Sequence, residues 1–372
     1  MRADSVLVAG GGVAGLAIAR AIRNRGIRAV VVERAARTSA PGLAINLAGN
    51  GVAAFAHLGL SDRLNKVGQP TRRREYRSSG GTLLFEINED EFWGPHARPR
   101  CVRRSDLLAM LDMQHDDTRR SAAVESVRPR DGGAEVTFVG GQVERYGFVV
   151  GADGVRSVVR GSVFPGHRSR AAVVSTAAFR IMAPNPGLDC YTMWSGAGST
   201  FLLIPVDGDE VYAFASATGG GQVDADPSWL DRTFVDYPEP VKAVLAYARH
   251  HREVLHHSPI EEVRTDEWSR GRVALIGDAA HATAPVWAQG AALAVEDALA
   301  LAKVLSEGDW DTAGVRYQQR RRERVQHVQV MTDRFSQALA LPANVRERNM
   351  AIAGPKAYHE VFGPLRDGRA WR

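Results

Sequence analysis

The pattern that most constrains this chain stands at its start, where Ser5-Val6-Leu7-Val8-Ala9 runs straight into Gly10-Gly11-Gly12-Val13-Ala14-Gly15. Residues 16–24 have helical composition, Gly26 closes that helix, and Arg28-Ala29-Val30-Val31-Val32-Glu33 reads as a second buried strand. A strand, a helix and a strand within about 30 residues require a parallel pair joined by a right-handed crossover. Gly10, Gly12 and Gly15 fit G-x-G-x-x-G: the first permits the tight turn, the second leaves room for a pyrophosphate, and the third lets helix and strand pack closely. The helix start offers unpaired N–H groups and a partial positive field to the phosphates. Glu33, at the end of the second strand, can accept both hydroxyls of an adenosine ribose. A carboxylate there disfavours a 2'-phosphate, so the site suits FAD or NAD, and this motif does not separate the two.

The whole chain, 372 residues, is long enough for one large core or two domains sharing a boundary. Residues 148–154 and 272–278 repeat the grammar of a buried strand running into glycines, whereas 168–261 is mainly antiparallel, with strands at 171–181, 200–206 and 211–217. Residues 70–100 carry strand-like patches at 74–76 and 82–87 and a polar tip at 88–94. Helices are expected at 105–113 with Ser105 as N-cap, at 229–236, 241–250 and 289–306, and at 315–339. In the last of these, Val325, Val328, Met331, Phe335 and Leu339 form one packing face and the arginines its wet side. The expected class is α/β, with a nucleotide-binding domain in three pieces (1–69, 101–167 and 262–312). A substrate-domain excursion (70–100), an inserted sheet domain (168–261) and a C-terminal helical segment (313–372) complete it.

Lys plus Arg total 47 against 42 for Asp plus Glu, a formal +5. The basic runs Arg72-Arg73-Arg74 and Arg320-Arg321-Arg322 are short, and they read as solvated surface and not as a nucleic-acid face. Two cysteines, Cys101 and Cys190, exclude a disulfide scaffold and fit a reducing cytoplasm. No membrane span and no signal peptide are expected. His250-His251 and His256-His257 lack supporting acids or cysteines, so they read as surface or sheet-edge histidines and no metal is expected.

Three later segments carry a resemblance. Gly151-Ala152-Asp153-Gly154-Val155-Arg156-Ser157-Val158-Val159-Arg160 resembles the D-G motif of the flavoprotein aromatic hydroxylases. Gly277-Asp278-Ala279-Ala280-His281, continuing through Pro285 and Gln289-Gly290 to Glu296-Asp297-Ala298, resembles their G-D motif, and Arg104-Ser105-Asp106-Leu107 their flavin-contacting arginine segment. With the N-terminal fingerprint, the chain is similar to the single-component FAD-dependent monooxygenases of the para-hydroxybenzoate hydroxylase fold, in particular compact members without a thioredoxin-like C-terminal domain. The resemblance selects non-covalent FAD. It implies a Rossmann-like FAD-binding domain carrying an inserted, mainly antiparallel substrate sheet, with C-terminal helices.

Carried over by position, the resemblance assigns cofactor contacts to Gly10, Gly12, Ala14, Gly15, Glu33, Arg34 and Ala44. Arg104 would lie near the pyrophosphate or ribityl chain, Asp153 would shape a segment shared by FAD and the nicotinamide, and Asp278 would bond a ribityl hydroxyl. Gln289, Gly290, Ala291 and Ala292 would bring helix amides to the pyrimidine end of the flavin. Pro285 would sit over the reacting face with Trp287 beside it, and His281 would have a structural task beneath the loop. Two departures stand out: Ala288 occupies a position where relatives commonly have Gly, and Ala44 replaces a glycine in Pro41-Gly42-Leu43-Ala44-Ile45-Asn46-Leu47.

The implied cycle uses NADPH or NADH as transient electron donor and O2 as co-substrate. A flavin C4a-hydroperoxide passes one oxygen atom to an aromatic or heteroaromatic molecule, possible work in secondary metabolism such as antibiotic biosynthesis. Epoxidation and Baeyer–Villiger insertion start from flavin peroxides too and stay open; a halogenase, whose W-x-W-x-I-P segment has no match here, and a flavin-dependent reductase are weaker alternatives. The substrate wall is expected from the inserted sheet, with Tyr191, Trp194, Phe201, Leu203, Tyr212 and Phe214 as candidates, together with Trp287. Alternation pairs Phe201 with Leu203 and Tyr212 with Phe214 on a strand face. The assembly is expected to be a monomer or homodimer.

Overall fold

A computed structural model describes residues 2–36, 43–112, 117–173, 177–217, 227–339, 341–368 and 371. Pro41 and Gly42 of the first flavin loop, Met113 of the expected helix and residues 174–176 of the expected strand lie outside the described residues. Strand Arg2–Ala9 runs through the middle of the first sheet, because Val6, Leu7 and Val8 are wholly buried and need cover on both faces. Its parallel neighbours are Arg28–Glu33 on one side and Val143–Gly151 on the other. Thr118–Arg120 and Val273–Leu275 extend the parallel array outward, and Gly133–Phe138 with Val124–Arg130 adds an antiparallel hairpin. Helix Gly290–Leu305 is apolar nearly all round because it packs against Val13–Arg23, Gly49–His57 and the long helix Trp310–Leu339.

The second sheet has seven strands, ordered Leu255–Pro259, Ala177–Pro184, Glu210–Ala217, Ser199–Asp207, Tyr191–Gly196, Arg73–Ser78 and Leu83–Asn88. Every pair in it is antiparallel except Tyr191–Gly196 with Arg73–Ser78. Helices Ser228–Thr233 and Glu239–His250 cover one face, sharing a core with Phe179, Ile181, Phe201 and Leu203. His256 and His257 do lie on an edge strand. Among the described residues no cluster of His, Cys, Asp or Glu could hold a metal ion, and no helix is long and apolar enough to cross a membrane.

Four local readings change. The polar tip at 88–94 is a helix, Glu89–Trp93, capped by Asn88 Oδ1, which accepts from the N–H groups of Asp90 (3.1 Å) and Glu91 (3.2 Å). The helix expected from Ser105 starts at Arg104, so Arg103 occupies the cap position. The long helix starts at Trp310, a turn before the expected 315. A further helix, Ala343–Phe362, follows although Gly354 and Pro355 stand inside it. Gly354 is required by packing, since a Cβ there would lie 2.3 Å from the ring of Phe85.

Candidate active site

The carboxyl ends of the parallel strands bring the three glycine segments side by side. Ala9 pairs with Gly151 and Gly151 with Leu275, so Gly10, Ala152 and Ile276 follow at one edge, where open parallel sheets bind their ligands. Gly10 has φ +111°, and a Cβ on it would lie 2.4 Å from the Ala152 carbonyl oxygen. A Cβ on Gly15 would lie 1.8 Å from the Gly10 carbonyl oxygen, whereas one on Gly12 would meet nothing within 4 Å. Gly10 and Gly15 are therefore demanded by packing, and Gly12 borders open space suited to a pyrophosphate. Helix Val13–Arg23 has no acidic residue in its first turn and no side-chain cap, so its leading amides stay available. Glu33 is half-buried: Oε2 accepts from the Gly11 N–H at 2.7 Å and Oε1 from the Ala35 N–H at 2.8 Å, which leaves lone pairs on both oxygens. Arg34 is exposed beside it.

Gly277 brings the G-D segment to the same place, since its missing Cβ would sit 3.1 Å from Ala14 Cβ and 3.2 Å from Ala294 Cβ. Asp278 remains solvent-reachable although closely surrounded by protein. That enclosure raises its pKa, against the opposing pull of His281 and Arg104. Arg104 thus acts on the carboxylate through its charge, and its backbone N–H donates to the Leu43 carbonyl at 2.8 Å. Asp153 works inward: Oδ2 accepts from the N–H groups of Val158 (2.7 Å) and Val159 (3.1 Å), holding the start of helix Val158–Val163. Burial raises its pKa and these bonds oppose that. Among the described residues Arg160 pairs with no acid; it donates to the carbonyls of Ala279 (2.9 Å) and Val155 (2.7 Å).

Helix Gly290–Leu305 begins beside Asp278, with Gly290 exposed and Ala291 half-buried, so the amides of its first turn open to the cleft. Ala292 is wholly buried and can contribute only its backbone. The Gln289 side chain faces inward, exchanging bonds with Asn50 (Nδ2 to Oε1 2.9 Å, Nε2 to Oδ1 3.2 Å). Ala288 adopts φ +53°, ψ +36°, the left-handed conformation that glycine takes without cost. Ala44 is buried in the apolar cluster with Met182, Ile204 and Tyr212; a buried strand position explains the methyl that replaces glycine.

Beneath this turn lies a charge cluster that the sequence reading missed. Arg321, read there as solvated, is wholly buried, donating from Nε to Asp297 Oδ1 and from Nη2 to Glu296 Oε2, both at 2.8 Å. Arg324 holds Glu296 with two further bonds, at 2.7 and 2.8 Å. Asp297 Oδ2 takes His281 Nε2 at 2.7 Å and the Gly277 N–H at 2.9 Å. Burial alone would raise the Asp297 pKa, but His281 and Arg321 outweigh it and bring it down to about 2. His281 is therefore a strut, as expected. The missed signal was spacing: Arg321 lies four and seven residues before Val325 and Val328, on the buried side.

The turn Pro285–Trp287 leads from the cleft to two adjoining cavities of about 320 and 50 Å³. Val286, Tyr191, Met193 and Phe335 line both; Trp287 lines the larger, and Pro285 and Phe214 the smaller. Trp287 packs edge-on against Phe335 (centroids 5.3 Å apart) and Phe362 (6.1 Å). Tyr191 and Phe214 are thus at the cavities, while Tyr212 is buried on that face without lining either. Phe201, Leu203 and Trp194 depart from expectation, pointing to the opposite face and its helix-covered core. The register opposes Leu203 to Ala213 and Leu202 to Phe214, so Phe214 and Leu203 cannot share a face. The other cavity wall is helix Ala343–Phe362, which the sequence reading held only within a C-terminal helical segment and did not place at the substrate.

Comparison with known proteins agrees with this geometry. Residues 4–334 match the FAD binding domain family. The chain is 31% identical over 335 residues to 2-heptyl-3-hydroxy-4(1H)-quinolone synthase of Pseudomonas aeruginosa, covering 87% of this chain and 86% of that protein. It is 30% identical over 360 residues to 3-amino-4-hydroxybenzoate 2-monooxygenase of Streptomyces cremeus (91% and 88% covered). The crystal structure of Klebsiella pneumoniae HpxO with FAD and uric acid superposes with a TM-score of 0.83 at 25% identity, covering 98% of this chain and 96% of that one.

Proposed function

This chain belongs to the FAD binding domain family, and from that premise we propose that it is a FAD-dependent monooxygenase that uses NAD(P)H and O2 to hydroxylate an aromatic or heteroaromatic small molecule. The observation that carries the reading is that one segment serves two spaces. Asp278 and Gly290 stand at the nucleotide cleft, and Pro285, Val286 and Trp287 between them line the apolar cavities. Bound FAD supplies the hydride acceptor and the activation of O2, chemistry that belongs to the cofactor. The chain supplies the rest. Gly10–Gly12 and the following helix start receive the pyrophosphate, Glu33 the ribose and Asp278 a ribityl hydroxyl. The amides of Gly290, Ala291 and Ala292 favour negative charge placed before them. Pro285 and Trp287 orient the substrate ring, and the apolar walls exclude water.

The quinolone and the aminohydroxybenzoate in the names of two relatives support a planar ring with polar edges as the substrate class. In this reading the enzyme acts in the cytoplasm as a monomer or homodimer, with Cys101 and Cys190 as free thiols. The test is NAD(P)H oxidation by the FAD-loaded chain across a panel of aromatic compounds under oxygen-18. Oxidation should rise with a ligand and the product should gain one labelled atom; product without label defeats the reading.

A further inference from the structure

One end of the larger cavity is built unlike the rest. Tyr76, Phe85, Met193, Met331 and Phe335 give an apolar lining, yet Ser195, wholly buried, and Arg346, 3% exposed, also line it. Arg346 Nη2 donates to the carbonyl of Gly196, the residue after Ser195, so guanidinium and hydroxyl lie at the same end. Among the described residues, Ser195 Oγ and the Nε and Nη1 atoms of Arg346 have no hydrogen-bond partner, and no carboxylate pairs with Arg346. The nearby Tyr237 hydroxyl is engaged with Ser199 Oγ at 2.8 Å. Arg334 and Glu360 reach the cavity only from its exposed rim.

This arrangement is unfavourable on three counts. A buried cation lacks a counter-charge. Donors in an apolar wall go unused. Arg346 also stands in the first turn of helix Ala343–Phe362, where the helix dipole disfavours positive charge. One ligand chemistry relieves all three. We infer that Arg346 and Ser195 form an anion subsite, which receives a carboxylate or phenolate oxygen carried by an otherwise apolar aromatic substrate. The inference rests on the monooxygenase reading for what happens to the bound ring, but not for the binding itself. Trp287 and Val286 line the same cavity, so a ring anchored at Arg346 lies against the turn that leads to the nucleotide cleft.

The test is equilibrium binding to the FAD-loaded chain by titration calorimetry, which needs no turnover. Naphthalene-2-carboxylate is compared with naphthalene-2-carboxamide, and 4-nitrophenolate with 4-nitroanisole. The wild type should prefer at least one anion over its neutral partner by about tenfold or more, or about 1.4 kcal/mol; the pair that shows it identifies carboxylate or phenolate. Arg346→Gln should erase the preference while binding the neutral probe as the wild type does, and Ser195→Ala should narrow it severalfold. No preference in the wild type, or an intact one in Arg346→Gln, overturns the inference. If Arg346→Gln does not fold, Ser195→Ala decides, and an unchanged preference there is fatal. Anion preference without oxygen incorporation keeps the subsite and sinks the monooxygenase reading; oxygen incorporation without anion preference does the reverse.

Discussion

Replacing Arg321 by Met asks whether the buried charge cluster holds the flavin turn in place. Arg321 bonds Asp297 and Glu296, all three wholly buried. Without it, Asp297 Oδ1 loses its only bonded partner among the described residues, while Oδ2 keeps His281 and the Gly277 N–H. Two carboxylates would then share Arg324 and His281, and breaking a buried pair of this kind costs about 3–5 kcal/mol. Against a typical total of about 5–15 kcal/mol, that is a large fraction. Because Gly277 precedes Asp278, FAD retention should fall with stability. Urea unfolding followed by tryptophan fluorescence measures the loss, and Arg321→Met/Asp297→Asn completes a cycle with an expected coupling of about 1–3 kcal/mol. Acid gives a second readout. The Asp297 carboxyl sits at about 2 in the folded chain against about 3.9 when unfolded. Its stabilisation, about 2–3 kcal/mol, is therefore present above roughly pH 4 and lost as pH falls towards 2. A loss under about 1 kcal/mol in Arg321→Met, or additive single mutants, would refute the reasoning.

Glu33→Ala removes the acceptor of the Gly11 and Ala35 amides and of the proposed ribose bonds, each worth about 1.5–3 kcal/mol; FAD should bind at least about tenfold more weakly, and an unchanged dissociation constant takes Glu33 out of the site. Ala288→Gly relieves a left-handed alanine at about 1–2 kcal/mol but loosens the unfolded chain by about 0.5–1 kcal/mol, so a melting temperature slightly raised, with unchanged FAD affinity, is expected; a clear destabilisation would mean that the methyl group makes contacts of its own. Leu203→Ala should lose about 2–5 kcal/mol in urea unfolding with KM for an identified substrate unmoved, whereas Phe214→Ala should raise KM with a smaller stability loss. The opposite pattern would put the substrate on the other face of the sheet.

The nucleotide half of the site was legible in the sequence because its parts are local. A strand, a glycine turn and a helix start lie within a few residues of one another, and the steric demand that the Gly10 carbonyl places on Gly15 and the position of Glu33 follow from that short stretch, whereas the demand on Gly10 comes from Ala152 on a distant strand end. Gly277-Asp278 and the structural role of His281 were read through the resemblance, and the bond from His281 to Asp297 agrees with the second. Side-chain alternation likewise paired Phe201 with Leu203 and Tyr212 with Phe214. Which pair faces the cavity was a different kind of fact. Alternation sets parity along a strand, but register against the next strand and cover by helices Ser228–Thr233 and Glu239–His250 decide which side is core. Arg321 and Arg346 belong to tertiary structure for the same reason. A charge can be buried only where partners from distant segments meet it, as Glu296 and Asp297 meet Arg321, or where the fold leaves a cavity before it, as at Arg346. Neither condition is written in the residues beside them.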